Sequence, residues 1–253
     1  MQNLFRIQPF FLALALSLSG CSRLRDLSFR PHPKTGEVTV TVEAPNVEEK
    51  YLDGIYWPQG KACGRAYTYW TFMCRPEFEL EPVPAQNKPH TWVYKVAGVS
   101  IKTGLVLQTW LPFGVKDKLR AHEAGHIRMC REIYRKAGEV ATRCGTDMLG
   151  RNIQSIAENE KQALDGAKTE LTRTLDAAYR EKMVSMADRA GVAFDRITNH
   201  GMNEVPEQTA MKSAFEEAEK TEESEKSEES EESEESKESK ESKAPGASVK
   251  ARE

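Results

Sequence analysis

No two cysteines in this 253-residue chain stand in a C-x-x-C pair, so the usual thiolate framework for a structural zinc is missing. No apolar run is long enough for a comfortable membrane span: the longest, Ile7 to Leu18, falls well short of the ~20 residues a bilayer core requires. No stripe of interleaved aromatic and basic residues is present, which excludes nucleic acid as an expected partner. Histidine is scarce too, with five in the chain, at 32, 90, 122, 126 and 200. Two of the five fall within a single pentapeptide.

That pentapeptide, His122-Glu123-Ala124-Gly125-His126, is an H-E-x-x-H motif. On a helix it sets two imidazoles one turn apart on one face, where both can hold a zinc ion. Glu123 lies about 100° round from His122 and is placed to take a proton from a zinc-activated water. The flanking sequence, Val115 to Val140, has no proline and is rich in helix formers, so one helix is expected there. Leu119, His122, His126, Cys130 and Ile133 recur at helical spacing, which puts the histidines on its inward face.

The first 20 residues carry one positive charge, Arg6, and then the short apolar run, the pattern of a signal peptide. The run ends in Leu18-Ser19-Gly20-Cys21, which resembles the lipobox of bacterial lipoproteins. The resemblance implies cleavage before Cys21, lipidation of that cysteine and anchoring of the mature chain by its acyl groups. Ser22 in the next position implies an outer-membrane address facing the periplasm. Residues 21–36, basic and proline-containing, read as a tether.

Cys63, Cys74, Cys130 and Cys144 remain, an even number that suggests two disulfides in an exported chain. Cys63 and Cys74 bracket an aromatic-rich stretch that reads as a hairpin, with a bridge across it. Cys130 and Cys144 could pair only if the helix turns near Gly138, because 14 residues of straight helix span about 21 Å. Free buried thiols are the alternative.

Residues 37–205 have ordinary apolar content and form the expected folded domain. Residues 206–253 read as a disordered tail: from Ser213 onward there are 15 acidic and 7 basic residues, in repeats of glutamate and serine, with almost nothing large and apolar after Phe215. Strands precede helices within the domain. Val38 to Val42 alternates at period two, Thr91 to Val96 is a second strand candidate, and Leu105 to Trp110 feeds the motif helix. In many zinc peptidases an edge strand beside the metal pairs with the extended substrate, and Leu105 to Trp110 is the strand placed to do so, with a plain core strand as the other reading. Asn152 to Asp188 reads as a long helix, and a loop is expected after Gly191. The expected class is α+β: an antiparallel or mixed sheet, then the motif helix, then a long second helix.

An open zinc site needs a third protein ligand. Glu132 would face away from the histidines on a continuous helix, and Glu139 and Glu158 stand in no ligand-like sequence. His200 is the best candidate, in Phe194-Asp195-Arg196-Ile197-Thr198-Asn199-His200-Gly201. Together with H-E-x-x-H, this segment resembles a bacterial family of predicted secreted zinc-dependent proteases that carries a downstream aromatic-Asp-x-x-Thr-x-His-Gly sequence. Phe194, Asp195, Thr198, His200 and Gly201 match it, with phenylalanine where the family has tyrosine. The resemblance covers roughly Val38 to Gly201 in layout. It implies zinc on His122, His126 and His200, Glu123 as general base, and Asp195 as an acceptor orienting a histidine. Arg196 and Tyr134 are the possible oxyanion donors. The expected function is zinc-dependent hydrolysis of peptide bonds in the cell envelope. The alternatives are a cell-wall peptide amidase and a non-enzymatic envelope lipoprotein with a structural or vestigial metal site.

Overall fold

The computed structural model describes residues 35–52, 66–84, 89–221 and Ser224. The expectations for the signal peptide, for lipidation of Cys21, for nearly all of the tether and for Cys63 lie outside these residues. The sheet has five strands: β1 (Val38–Val42), β2 (Asn46–Leu52), β3 (Tyr67–Val83), β4 (Thr91–Pro112) and β5 (Asn152–Ile156). The helices are α1 (Asp117–Tyr134), α2 (Ala137–Met148), α3 (Glu160–Thr198) and α4 (residues 207–221). The α+β class read from the sequence is the class observed.

β4 organises the sheet. The two short strand candidates at Thr91 and Leu105 are parts of one 22-residue strand. β3 runs antiparallel along one side of it, with a register shift between Glu79 and Leu80. Its other side is too long for any single neighbour. β5, β1 and β2 tile it in turn, opposite Thr91–Lys95, Val99–Thr103 and Val106–Pro112. β1 and β2 run parallel to β4 while β3 and β5 run antiparallel, so the sheet is mixed. β4 is thus the central strand and not an edge, which removes it as a rail for substrate; β3 has no second strand neighbour among the described residues. The hairpin expected between Cys63 and Cys74 is also corrected: Tyr67 to Val83 is one strand, with Cys74 in its middle on the inward face.

The helices cover one face of the sheet. The expected single helix from Val115 to Val140 divides at Arg135 and Lys136, and α2 departs so that its small residues can seat on the sheet. A Cβ at Gly145 would lie 2.6 Å from a Val38 methyl, so only glycine permits that approach. The break does not join Cys130 to Cys144. Both are free thiols, as is Cys74.

Asn152 to Ile156 is a strand, contrary to the helical reading. Its Ile153–Ile156 spacing mimics a helix stripe, but the segment pairs with β4. α3 then starts at Asn159, whose side chain accepts the Gln162 N–H at 3.0 Å. It runs 39 residues and passes through Gly191, where the glycine admits the Trp70 indole instead of ending the helix. The tail is corrected at its root. Residues 207–221 are helical, with Ala210, Ala214 and Ala218 at 0–1 % exposure against the core. Arg128 of α1 pairs with Glu207, and Arg196 of α3 pairs with Glu217. An alanine face within an acidic sequence buries enough surface to order this helix, although the average composition suggests none. No helix among the described residues is long and apolar enough to cross a membrane.

Candidate metal centre

α1 opens after Lys116 with Asp117 in its first turn, where a carboxylate favours the helix dipole. One turn later it presents His122, Glu123 and His126, all buried. Phe194 of α3 fixes both imidazoles. Its ring stacks on His122 at 5.2 Å between centroids with planes 7° apart, and meets His126 edge-on at 5.1 Å. Gly125 makes this possible, since a Cβ there would stand 2.6 Å from Phe194 Cζ. Trp70 of β3 flanks the His126 ring at 6.2 Å.

Because α3 continues past Gly191, Asp195 is delivered to the histidines from a helix and not from a loop. Asp195 Oδ1 lies 2.9 Å from His122 Nε2 and 2.9 Å from His126 Nε2, and the two nitrogens are 3.3 Å apart. These three side chains form a group that could hold a metal ion. Asp195, expected to orient a histidine, is the third member of this group, and His200, expected as the third ligand, is not among it. His200 sits just beyond the helix end, its side chain 68 % exposed, with Nδ1 3.5 Å from Asp195 Oδ1. Asn199, His200 and Gly201 all have positive φ (48°, 51° and 77°), so the chain turns sharply there. Gly201 rests against His122, where a Cβ would come within 2.8 Å.

The hydrogen bonds at the back of the site show why a cation fits. Thr198 Oγ1 donates its one hydrogen to the Phe194 carbonyl at 2.7 Å. The same oxygen must then accept from His122 Nδ1–H at 3.3 Å, alongside the Gly201 N–H at 3.3 Å. With the proton on Nδ1, the tautomer that this acceptor suits, Nε2 is left as a lone pair. That lone pair faces a carboxylate oxygen. Burial pushes the Asp195 carboxyl up, but the contacts with His122 and His126 outweigh it and hold the group well below the usual carboxylate range. That lowering comes from ring N–H groups facing the carboxylate, so in the metal-free protein protons fill the gap that a cation could occupy. The separations of the three atoms, 2.9, 2.9 and 3.3 Å, let all of them face one cation. His126 Nδ1 is buried with no hydrogen-bond partner among the described residues.

Glu123 is 3 % exposed beside this group. Burial pushes its carboxyl up; the Thr68 hydroxyl, which donates to Oε2 at 2.8 Å, and the two imidazoles pull it down, and burial prevails. A cavity of ≈ 230 Å³ flanks His122, with Lys118, Ala121, Thr198, Gly201 and Val205 among its walls. Neither expected oxyanion donor is available. Tyr134 is buried with its hydroxyl against Thr103 and the Glu43 carbonyl, and Arg196 is held by Glu217. Glu132 and Glu139 pair with Arg135 and Arg143 on exposed helix faces, and Glu158 is exposed.

Thr68 and Trp70 carried no signal in the sequence, since both reach the site from a strand more than 50 residues before the motif. Thr198 was visible only as one letter of the downstream segment. Comparison with protein-family models, with curated proteins and with solved structures finds no match to the chain.

Proposed function

We propose that this chain is a zinc-dependent hydrolase of peptide bonds, acting in the cell envelope from a lipid anchor on Cys21. The observation that carries the reading is a buried carboxylate, Glu123, beside a group made by His122 and His126 on its own helix and Asp195 on α3. Two histidines and one carboxylate are the donor set of open catalytic zinc sites. A zinc ion bound there would lower the pKa of water and polarise the carbonyl under attack. His122, His126 and Asp195 would hold the ion, and Phe194 and Thr198 orient the His122 ring. Glu123 takes a proton from the attacking water as its oxygen bonds to the carbonyl carbon. The C–N bond then breaks, and Glu123 returns the proton to the leaving amine nitrogen.

The strand beside the site supports a peptide as substrate. Pro76 lies mid-strand in β3, opposite Ile101, and has no N–H to give β4. Its backbone therefore faces the side of β3 that carries no strand among the described residues. By alternation in an unbroken register, so do those of Thr68, next to Glu123, and Trp70, next to His126. An extended chain can pair with such an edge.

The same donor set also suits non-haem iron(II). Metal content of the purified protein, with cleavage of fluorescein-labelled casein, separates the readings. About one zinc per chain is expected, with casein cleaved by the wild type and not by Glu123→Gln, which keeps its zinc. Iron in place of zinc, or cleavage that survives in Glu123→Gln, overturns the proposal.

A further inference from the structure

Glu123 is held from outside its own helix. The Thr68 hydroxyl, on β3, donates to Glu123 Oε2 at 2.8 Å. That donation uses its only hydrogen, so its oxygen must accept from Thr109, 3.3 Å away on β4. Thr68 and Thr109 are direct cross-strand partners, and Thr109 is 3 % exposed. The two hydroxyls form a chain with one direction, from Thr109 through Thr68 to a single carboxylate oxygen.

A glutamate needs such a hold. The torsion that turns its carboxylate is broad and nearly two-fold, so the two oxygens exchange readily unless one is tied. Little solvent reaches Glu123 to do this. Threonine is a stiff donor, because its branched Cβ restricts χ1, and the sheet ladder fixes its backbone. A misplacement of about 1 Å in a reacting group can cost ~100-fold in rate.

We propose that Thr68 is the positioning residue of the general base: it ties Oε2 of Glu123 and reserves Oε1 for the proton of the attacking water. The proposal rests on the hydrolase reading above and goes beyond it by giving the two carboxylate oxygens different tasks and by bringing a strand residue into the machinery. Thr68 acts through Glu123 and touches none of the metal-holding atoms.

The test uses full-length protein carrying Thr68→Val, Thr68→Ser or Thr109→Val, with labelled casein as substrate. Thr68→Val is expected to keep its zinc and its KM while kcat falls about 10- to 100-fold. Thr68→Ser restores kcat to within about threefold, and Thr109→Val gives a smaller loss than Thr68→Val. A second readout needs no catalysis. In the metal-free protein, the thermal midpoints of Thr68→Val, Glu123→Ala and the double variant should be non-additive, because the pair shares one bond. Additive midpoints, wild-type kcat in Thr68→Val, or a serine variant as impaired as the valine variant would each overturn the assignment. If the wild type itself leaves casein intact, the hydrolase reading fails, a different result from an active wild type matched by Thr68→Val.

Discussion

Thr198 Oγ1 stands 3.3 Å from His122 Nδ1 with its own hydrogen given to the Phe194 carbonyl at 2.7 Å, which leaves it only as an acceptor for that ring. Thr198, three positions after Asp195, thereby favours one His122 nitrogen over the other as a metal donor. Thr198→Val removes the acceptor, and the His122 proton is no longer confined to Nδ1. Zinc affinity should fall about 10- to 100-fold, as it does when an orienting partner is lost, while Thr198→Ser stays near wild type. Competition with a chromophoric chelator measures both; equal affinities in the valine variant and the wild type would refute the role.

Asp195 and His200 can be ranked by the same assay. Asp195→Ala removes one of the three converging donors and should lower zinc affinity by ~100-fold or more. His200→Ala, at an exposed position, should lower it by less than ~10-fold. The reverse order would give the third position to His200.

The buried thiols set an alkaline limit. Burial pushes Cys130 up to about 12, with Asp188 adding to it, and burial likewise pushes Cys74 up to about 12, with smaller contributions from Asp176 and Cys144. Unfolded cysteine ionises near ~8.5. Between these values the unfolded chain releases protons that the folded one retains, so the stabilisation is complete below roughly pH 8.5 and is lost as pH rises towards 12. The thermal midpoint should fall across pH 8.5–11, and less steeply in Cys130→Ala, by calorimetry on metal-free protein. Parallel slopes would remove Cys130 from the account.

α4 belongs to the fold, although its surroundings in the sequence are acidic. Ala214→Glu puts a charge where exposure is 0 % and should cost about 3 kcal/mol. Lys212→Glu, at a side chain 79 % exposed, should change stability by less than ~0.5 kcal/mol. Urea unfolding midpoints compare them; similar losses would mean that the alanine face is not buried.

What the sequence made legible follows the range of the interactions involved. His122, Glu123 and His126 were readable because a single helical turn brings them together. Asp195 is visible as a member of the downstream segment, but its place in the His–His–Asp group depends on α3 continuing through Gly191, which packs against Trp70. β5 was misread because Ile153 and Ile156 satisfy a helix period, and only the edge of β4 decides otherwise. α4 was hidden because averaging over a glutamate-rich stretch erases an alanine stripe. Thr68 could not be found at all: its place beside Glu123 depends on the register of β3 with β4.

α3 carries Asp195 near the end of 39 unbroken residues, with Ala163 buried near its start. Each residue advances a helix by 1.5 Å and turns it by about 100°. One amino acid inserted or deleted between Ala167 and Ala190 would therefore swing Asp195 about a quarter-turn away from His122 and His126, even if every side chain kept its chemistry. Length changes in this chain can accumulate in loops, but the spacing between the two ends of α3 matters to the site as much as the identities of the three side chains that could hold an ion.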